Sequence, residues 1–102
     1  MKIIVVNISK ELAKGKTELQ ATERAWSLDI EKCRNKEYVI GVEKGQIKAC
    51  FKLINVFPDT ELEQKVAFKL EKCSEETEQM IRNYIRDNDI NLGGIQRGKY
   101  IL

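Results

Sequence analysis

Histidine does not occur in this 102-residue chain, and its three cysteines, Cys33, Cys50 and Cys73, form no C-x-x-C pair. Those two facts remove the commonest catalytic and metal-binding chemistries. A Ser–His or Cys–His relay needs an imidazole beside the nucleophile, and a zinc site needs about four thiolate or imidazole ligands at close spacing. Carboxylate or lysine chemistry remains, but the acidic residues cluster in polar stretches where solvation accounts for them. The segment GGIQRG lacks the G-x-x-x-x-G-K-[ST] spacing of a phosphate loop. The expectation is therefore no enzyme, no cofactor and no metal.

Cations and aromatics are the other residues with chemistry to offer. Lys48 and Lys52, on a strand whose other face is apolar, can hold phosphates together with Arg24 and Arg97, and an aromatic ring can stack on a base. A base stacked on an aromatic plane gains about 1–3 kcal/mol, while cations add a salt-dependent hold on the backbone. Each residue also has a plainer use. Large aromatics mostly supply core packing, and lysines along a strand keep a sheet face solvated and discourage edge pairing.

The overall charge of +2 does not announce a nucleic-acid binder, yet its distribution is uneven. Residues 1–57 carry 11 Lys/Arg against 7 Asp/Glu, and residues 58–91 carry 5 against 9. That asymmetry allows one basic and one acidic face. An odd set of cysteines fits a reducing compartment better than secretion. The apolar run in MKIIVVNI is too short for a signal or membrane span. A cytoplasmic protein with no membrane partner is expected.

Length and a 42% hydrophobic content allow one domain, 1–102, with one modest core. Ile3–Ile8 reads as a buried strand, and the lysine-rich stretch after it breaks at Gly15. Thr17-Glu18-Leu19-Gln20 matches a capping box, and Leu19, Thr22, Ala25 and Trp26 predict a helix over 18–28 with Trp26 on its buried face. Ser27 or Asp29 can cap a short turn through Cys33. Tyr38–Glu43 and Gln46–Phe57 read as a hairpin around Gly45. In its second strand Ile47, Ala49, Phe51, Leu53 and Phe57 share a face, and Lys48, Cys50 and Lys52 begin the other. Val66, Phe68 and Leu70 predict a further strand. Ser74 caps a helix with Thr77, Met80, Ile81, Tyr84 and Ile85 as its apolar stripe, ending near Asp87–Asn88. The glycine-rich tail NLGGIQRGKYIL ends in a short strand.

Ala21-Thr22 with Trp26, the hairpin residues Tyr38, Val42 and Gly45, then Phe57, and finally Gly94, Gln96 and Tyr100 give the chain its resemblance to a family. Over about residues 19–102 it resembles a PUA-like domain, the superfamily that includes EVE, ASCH and YTH domains, in the small form found in bacteria and phages. The resemblance implies a single α+β domain, a curved or barrel-like mixed sheet flanked by two to three helices. It also implies binding of nucleic acid, with a base flipped into an aromatic-lined pocket in several members, or of a nucleotide-like ligand; Trp26, Tyr38, Phe57 and Tyr100 are the aromatics it offers for stacking. The family pattern has Arg-Gly where this chain has Glu23-Arg24, so a phosphate contact there depends on Arg24, with Arg97 as a later cation. The alternative is a protein-interaction module, such as a phage or mobile-element factor that inhibits a host protein, with its partner on the acidic segment 59–78.

Overall fold

The computed structural model describes residues 1–101. Leu102, the last residue of the tail expected to end in a strand, lies outside the described residues. Five strands form one mixed sheet: β1 (Ile3–Asn7), β2 (Tyr38–Glu43), β3 (Gln46–Pro58), β4 (Val66–Lys72) and β5 (Gly98–Ile101), in the order β4-β3-β2-β1-β5. β1 runs parallel to β2, and the other neighbours are antiparallel. Helices α1 (Ser9–Ala13), α2 (Glu18–Thr22) and α3 (Ile30–Cys33) fill the β1–β2 connection, and α4 (Glu75–Asp87) joins β4 to β5.

The unbroken apolar run of β1 suits its place inside the sheet, between β2 and β5. A strand covered on both faces cannot afford alternating polar residues, and Ile3, Ile4, Val5 and Val6 are all fully buried. On one face Ile3 and Val5 join Ile40, Val42 and Cys50 against Ile81 and Ile85 of α4. On the other, Ile4 and Val6 join Ile8, Ala21, Trp26, Val56, Val66 and Phe68. Gly41 lets α2 approach: a Cβ there would lie 2.8 Å from Ile8 Cδ1 and 2.9 Å from Thr22 Oγ1.

Local chemistry sets most element ends. Thr17 and Gln20 close the capping box of α2, Asp29 caps α3 by accepting from the Glu31 N–H, and Ser74 caps α4 by accepting from Thr77. In the β2–β3 hairpin Lys44 and Gly45 both hold positive φ, 52° and 78°, as a two-residue turn matched to strand twist requires.

Five expectations need correction. The sheet does not close into a barrel: β4 and β5 stand at opposite edges, and among the described residues the outer edge of β4 bonds to the backbone of Glu23 and Trp26. The helices number four among the described residues, because 9–13 forms a turn of helix before Gly15 (φ 87°). α2 stops at Thr22 instead of running to 28: Ala25 turns to φ 70°, and Trp26 leaves the helix to bridge Val66, while Leu19 stays 41% exposed. The alternation of β3 is broken by register shifts at Gly41/Val42 and Leu53/Asn55, so Ile47 packs with the α4-side core and not with Leu53. Met80, placed in the α4 stripe, is 51% exposed.

Candidate nucleic-acid interface

The segment after α2 is tied to the edge of β4 by three backbone hydrogen bonds. The Phe68 N–H donates to Glu23 O (2.7 Å), and Trp26 and Val66 exchange a pair at 3.1 and 2.9 Å. The antiparallel bridge makes Ser27, which follows Trp26, the cross-strand neighbour of Lys65, which precedes Val66. At the end of β1 the Asn7 N–H donates to Arg97 O (2.8 Å), and the Asn7 side chain donates to Ile95 O (2.9 Å). Asn7 thus draws the loop before β5 toward the same place. Gly98 completes the approach, since a Cβ there would meet the Leu28 side chain at 2.8 Å.

These ties enclose an open cleft of about 1370 Å³. Its walls carry the cations Lys10, Arg24, Lys65, Arg97 and Lys99 and one carboxylate, Glu11. Glu11 pairs with Lys16 (2.8 Å) and Lys14 (3.3 Å), and the Lys16 ammonium holds its carboxyl below the usual range. Arg24 is spoken for as well. Its Nη2 and Nε reach both oxygens of Asp59 (2.9 and 3.1 Å), and its Nη1 reaches Glu61 (2.9 Å). The Asp59 carboxylate raises the Arg24 pKa further. Arg24 in turn, helped by the Glu61 backbone N–H, lowers the Asp59 carboxyl to about 2.

Lys10, Lys65, Arg97 and Lys99 form no ion pair among the described residues. Two of them converge on one hydroxyl: Lys65 Nζ donates to Ser27 Oγ, and Arg97 Nη1 approaches the same oxygen at 3.5 Å. The backbone beside them is unusual. Ala25 and Gln64, which precede Trp26 and Lys65, both hold left-handed backbone, φ 70° and 60°, a conformation that costs a non-glycine residue about 1 kcal/mol and persists only where neighbours enforce it.

Of the eight residues singled out from sequence, Arg24, Trp26 and Arg97 line this cleft. Trp26 does so as a core residue. It is 9% exposed, its indole N–H donates to Thr22 O at 2.7 Å, and it packs with Val66 and Phe68, so it has no open face on which a base could stack. The other five lie elsewhere. Lys48 is the unmatched residue of the β3 register shift, and Lys52 stands between Tyr38 and Glu71 on neighbouring strands. Tyr38 packs on the α4-side core. Phe57 is 37% exposed near the far end of β3, opposite Ala67. Tyr100 is turned inward: its hydroxyl accepts from the Asp29 N–H (2.7 Å), donates to Asp29 O (3.2 Å), and burial raises its pKa to about 12. Lys32 and Lys36 lie 6.0 and 5.8 Å from its ring centroid, cation–π distances that occupy the ring.

Sequence reasoning missed Lys10, Lys65 and Lys99 as cleft cations and took Ser27 only as a cap. The polar residue ending an apolar strand, Asn7, was the available signal for a loop anchor. Nothing in the order of residues signals the meeting of Ser27 with Lys65, which depends on the 26–66 bridge. Among the described residues no three His, Cys, Asp or Glu side chains are grouped to hold a metal, and no helix is long and apolar enough to cross a membrane. No protein-family model, curated protein or solved structure matches this chain.

Proposed function

We propose that this domain binds nucleic acid or a nucleotide-like ligand in the basic cleft without transforming it, as a PUA-like domain working in a reducing cytoplasm. The observation that carries the proposal is the set of four cations, Lys10, Lys65, Arg97 and Lys99, facing an open concavity with no carboxylate partner among the described residues. Unpaired cations of like sign in a concave wall focus an attractive field on anions. The size also fits: a volume of about 1370 Å³ exceeds the roughly 300–1,000 Å³ of small-molecule pockets and suits a short run of nucleotides.

The test is fluorescence anisotropy with labelled single- and double-stranded DNA and RNA across a salt series. Binding whose logarithm falls linearly with log salt, by about 0.7 per phosphate contact on single strands, and which weakens in a Lys10→Gln/Lys99→Gln variant, supports the proposal. Failure of every probe to bind at low salt overturns it. A second reading, a protein-interaction module, is favoured by exposed apolar side chains: Ile54, Phe57 and Leu62 are 43%, 37% and 47% exposed beside and within the acidic segment 59–78.

A further inference from the structure

We propose that Ser27, Lys65 and Arg97 form a seat for one phosphate group, the fixed point from which the rest of a ligand extends along the cleft. This rests on the cleft being the binding surface. The hydroxyl of Ser27 accepts from Lys65 and lies 3.5 Å from Arg97 Nη1, so two cations are gathered on one neutral oxygen. That arrangement is unfavourable by itself, because the like charges repel and a single hydroxyl satisfies few of their donors. Lys and Arg together offer eight N–H groups; an anion lying against them would receive the unused ones and relieve the repulsion. The Ser27 hydroxyl proton is given to no acceptor among the described residues, so it too can donate to that anion.

The chemistry of the three groups points to phosphate. Arg97 brings the planar fork that matches two phosphate oxygens, Lys65 a compact point charge, and Ser27 a short neutral donor. Preorganisation strengthens the case. Ser27 and Lys65 are placed by the 26–66 bridge, and Arg97 is placed by the bond from Asn7 N–H to its carbonyl oxygen. The side chains are exposed or half-buried, so a ligand reaches them without opening the core. Two sources supply such a group, a diester within a strand or a terminal monoester.

The deciding experiment uses the full chain, with fluorescein-labelled oligothymidylate of 12 nucleotides carrying either a 5′-phosphate or a 5′-hydroxyl. Inorganic phosphate is titrated in parallel and followed by ¹⁵N–¹H spectra. Lys65→Gln and Arg97→Gln should each weaken oligonucleotide binding about tenfold and reduce the salt slope by about 0.7, and Ser27→Ala should weaken it less with the slope unchanged. Arg97→Lys should restore the slope but not the full affinity. Lys48→Gln, outside the cleft, should change nothing, and thermal melts should show all variants folded. A seat for a terminal monoester makes the 5′-phosphorylated probe the tighter one, and the preference vanishes in Arg97→Gln; a seat for a diester leaves the two probes equal.

If oligonucleotides bind but Lys65→Gln and Arg97→Gln leave affinity and slope intact, the seat is wrong and the nucleic-acid reading stands. If no oligonucleotide binds but inorganic phosphate shifts the Ser27 and Arg97 resonances, and Arg97→Gln abolishes the shift, the seat stands and the nucleic-acid reading falls. If neither probe binds, both fall.

Discussion

Arg24 meets Asp59 through two parallel contacts, Nη2–Oδ1 at 2.9 Å and Nε–Oδ2 at 3.1 Å, across 35 positions of sequence. Asp59 Oδ1 also accepts the backbone N–H groups of Glu61 and Leu62 at 2.8 and 3.2 Å. One carboxylate therefore folds the turn that follows β3 and fastens it to the cleft wall. The cation that the family resemblance offered for phosphate binding is thus held in a structural clamp.

The clamp should write itself into the pH dependence of stability. Asp59 has its carboxyl lowered from 3.8 to about 2, so its contribution is fully present above its ordinary pKa and is lost as pH falls from about 4 through 2. In urea titrations at several pH values, Asp59→Asn should flatten this part of the profile and leave the neutral-to-alkaline part parallel to wild type. An unchanged acid limb would refute the clamp.

Trp26→Ala should destabilise the domain by about 3–5 kcal/mol, the usual cost of emptying an aromatic core site, and Phe68→Ala, at 3% exposure in the same cluster, should cost a similar amount. Trp26→Phe keeps most of the volume but leaves Thr22 O without its indole donor, for a loss of about 1–3 kcal/mol. Denaturant midpoints check all three. A loss under 1 kcal/mol for Trp26→Ala would return the indole to the list of stacking candidates.

Gly41→Ala should destabilise by about 1–3 kcal/mol, the cost of overpacking, because the added methyl meets Ile8 and Thr22 inside 3 Å. Gly94→Ala, with open space around its missing Cβ, should be close to neutral. Paired thermal melts of the two variants measure the contrast.

Lys48→Ser and Lys52→Ser together should leave both melting temperature and the salt slope of nucleic-acid binding unchanged, since both lysines are exposed and neither lines the cleft. A flattened slope in the same anisotropy series would move the interface from the cleft to the hairpin.

The three thiols should alkylate slowly in the native state. Cys33 and Cys50 are 0% and 2% exposed, burial pushes Cys50 up to about 12 and raises Cys33 and Cys73, and all three are unpaired. Because the thiolate is the reactive form, iodoacetamide at neutral pH should label the native protein far more slowly than the urea-unfolded one. Comparable rates in the two states would contradict the burial of Cys33 and Cys50.

Strands β1, β2 and β4, the hairpin turn and α4 were legible because local signals agree with the tertiary outcome. Four apolar residues in a row need burial on both faces, Gly45 supplies its positive φ, and Ser74 caps what the Ile81–Ile85 face then packs down. The helix over 18–28 misled because Thr22, Ala25 and Trp26 fit helical spacing, while the bridge to Val66 that overrides it lies 40 residues away. Cleft residues were less legible for the same reason. Arg24 shows its charge in the sequence but not the carboxylates waiting at 59 and 61, and Ser27 acquires meaning only when Lys65 is laid beside it.

Sheet order also sets the sequence in which the molecule can assemble. β1 pairs on one side with β5, where Ile3 faces Ile101 and Ile4 faces Tyr100, so the two partners leave the ribosome at opposite ends of the described chain. During synthesis the helices and the β2–β3–β4 meander can form early. Through all of that time the 3–6 edge keeps a bare row of backbone donors and acceptors flanked by Ile and Val, a template for pairing with other nascent chains. The cleft is the last feature to exist, since one wall lies at 7–11 and another at 91–99. A chain interrupted before β5 would therefore bare that edge and lack part of the cleft wall at once.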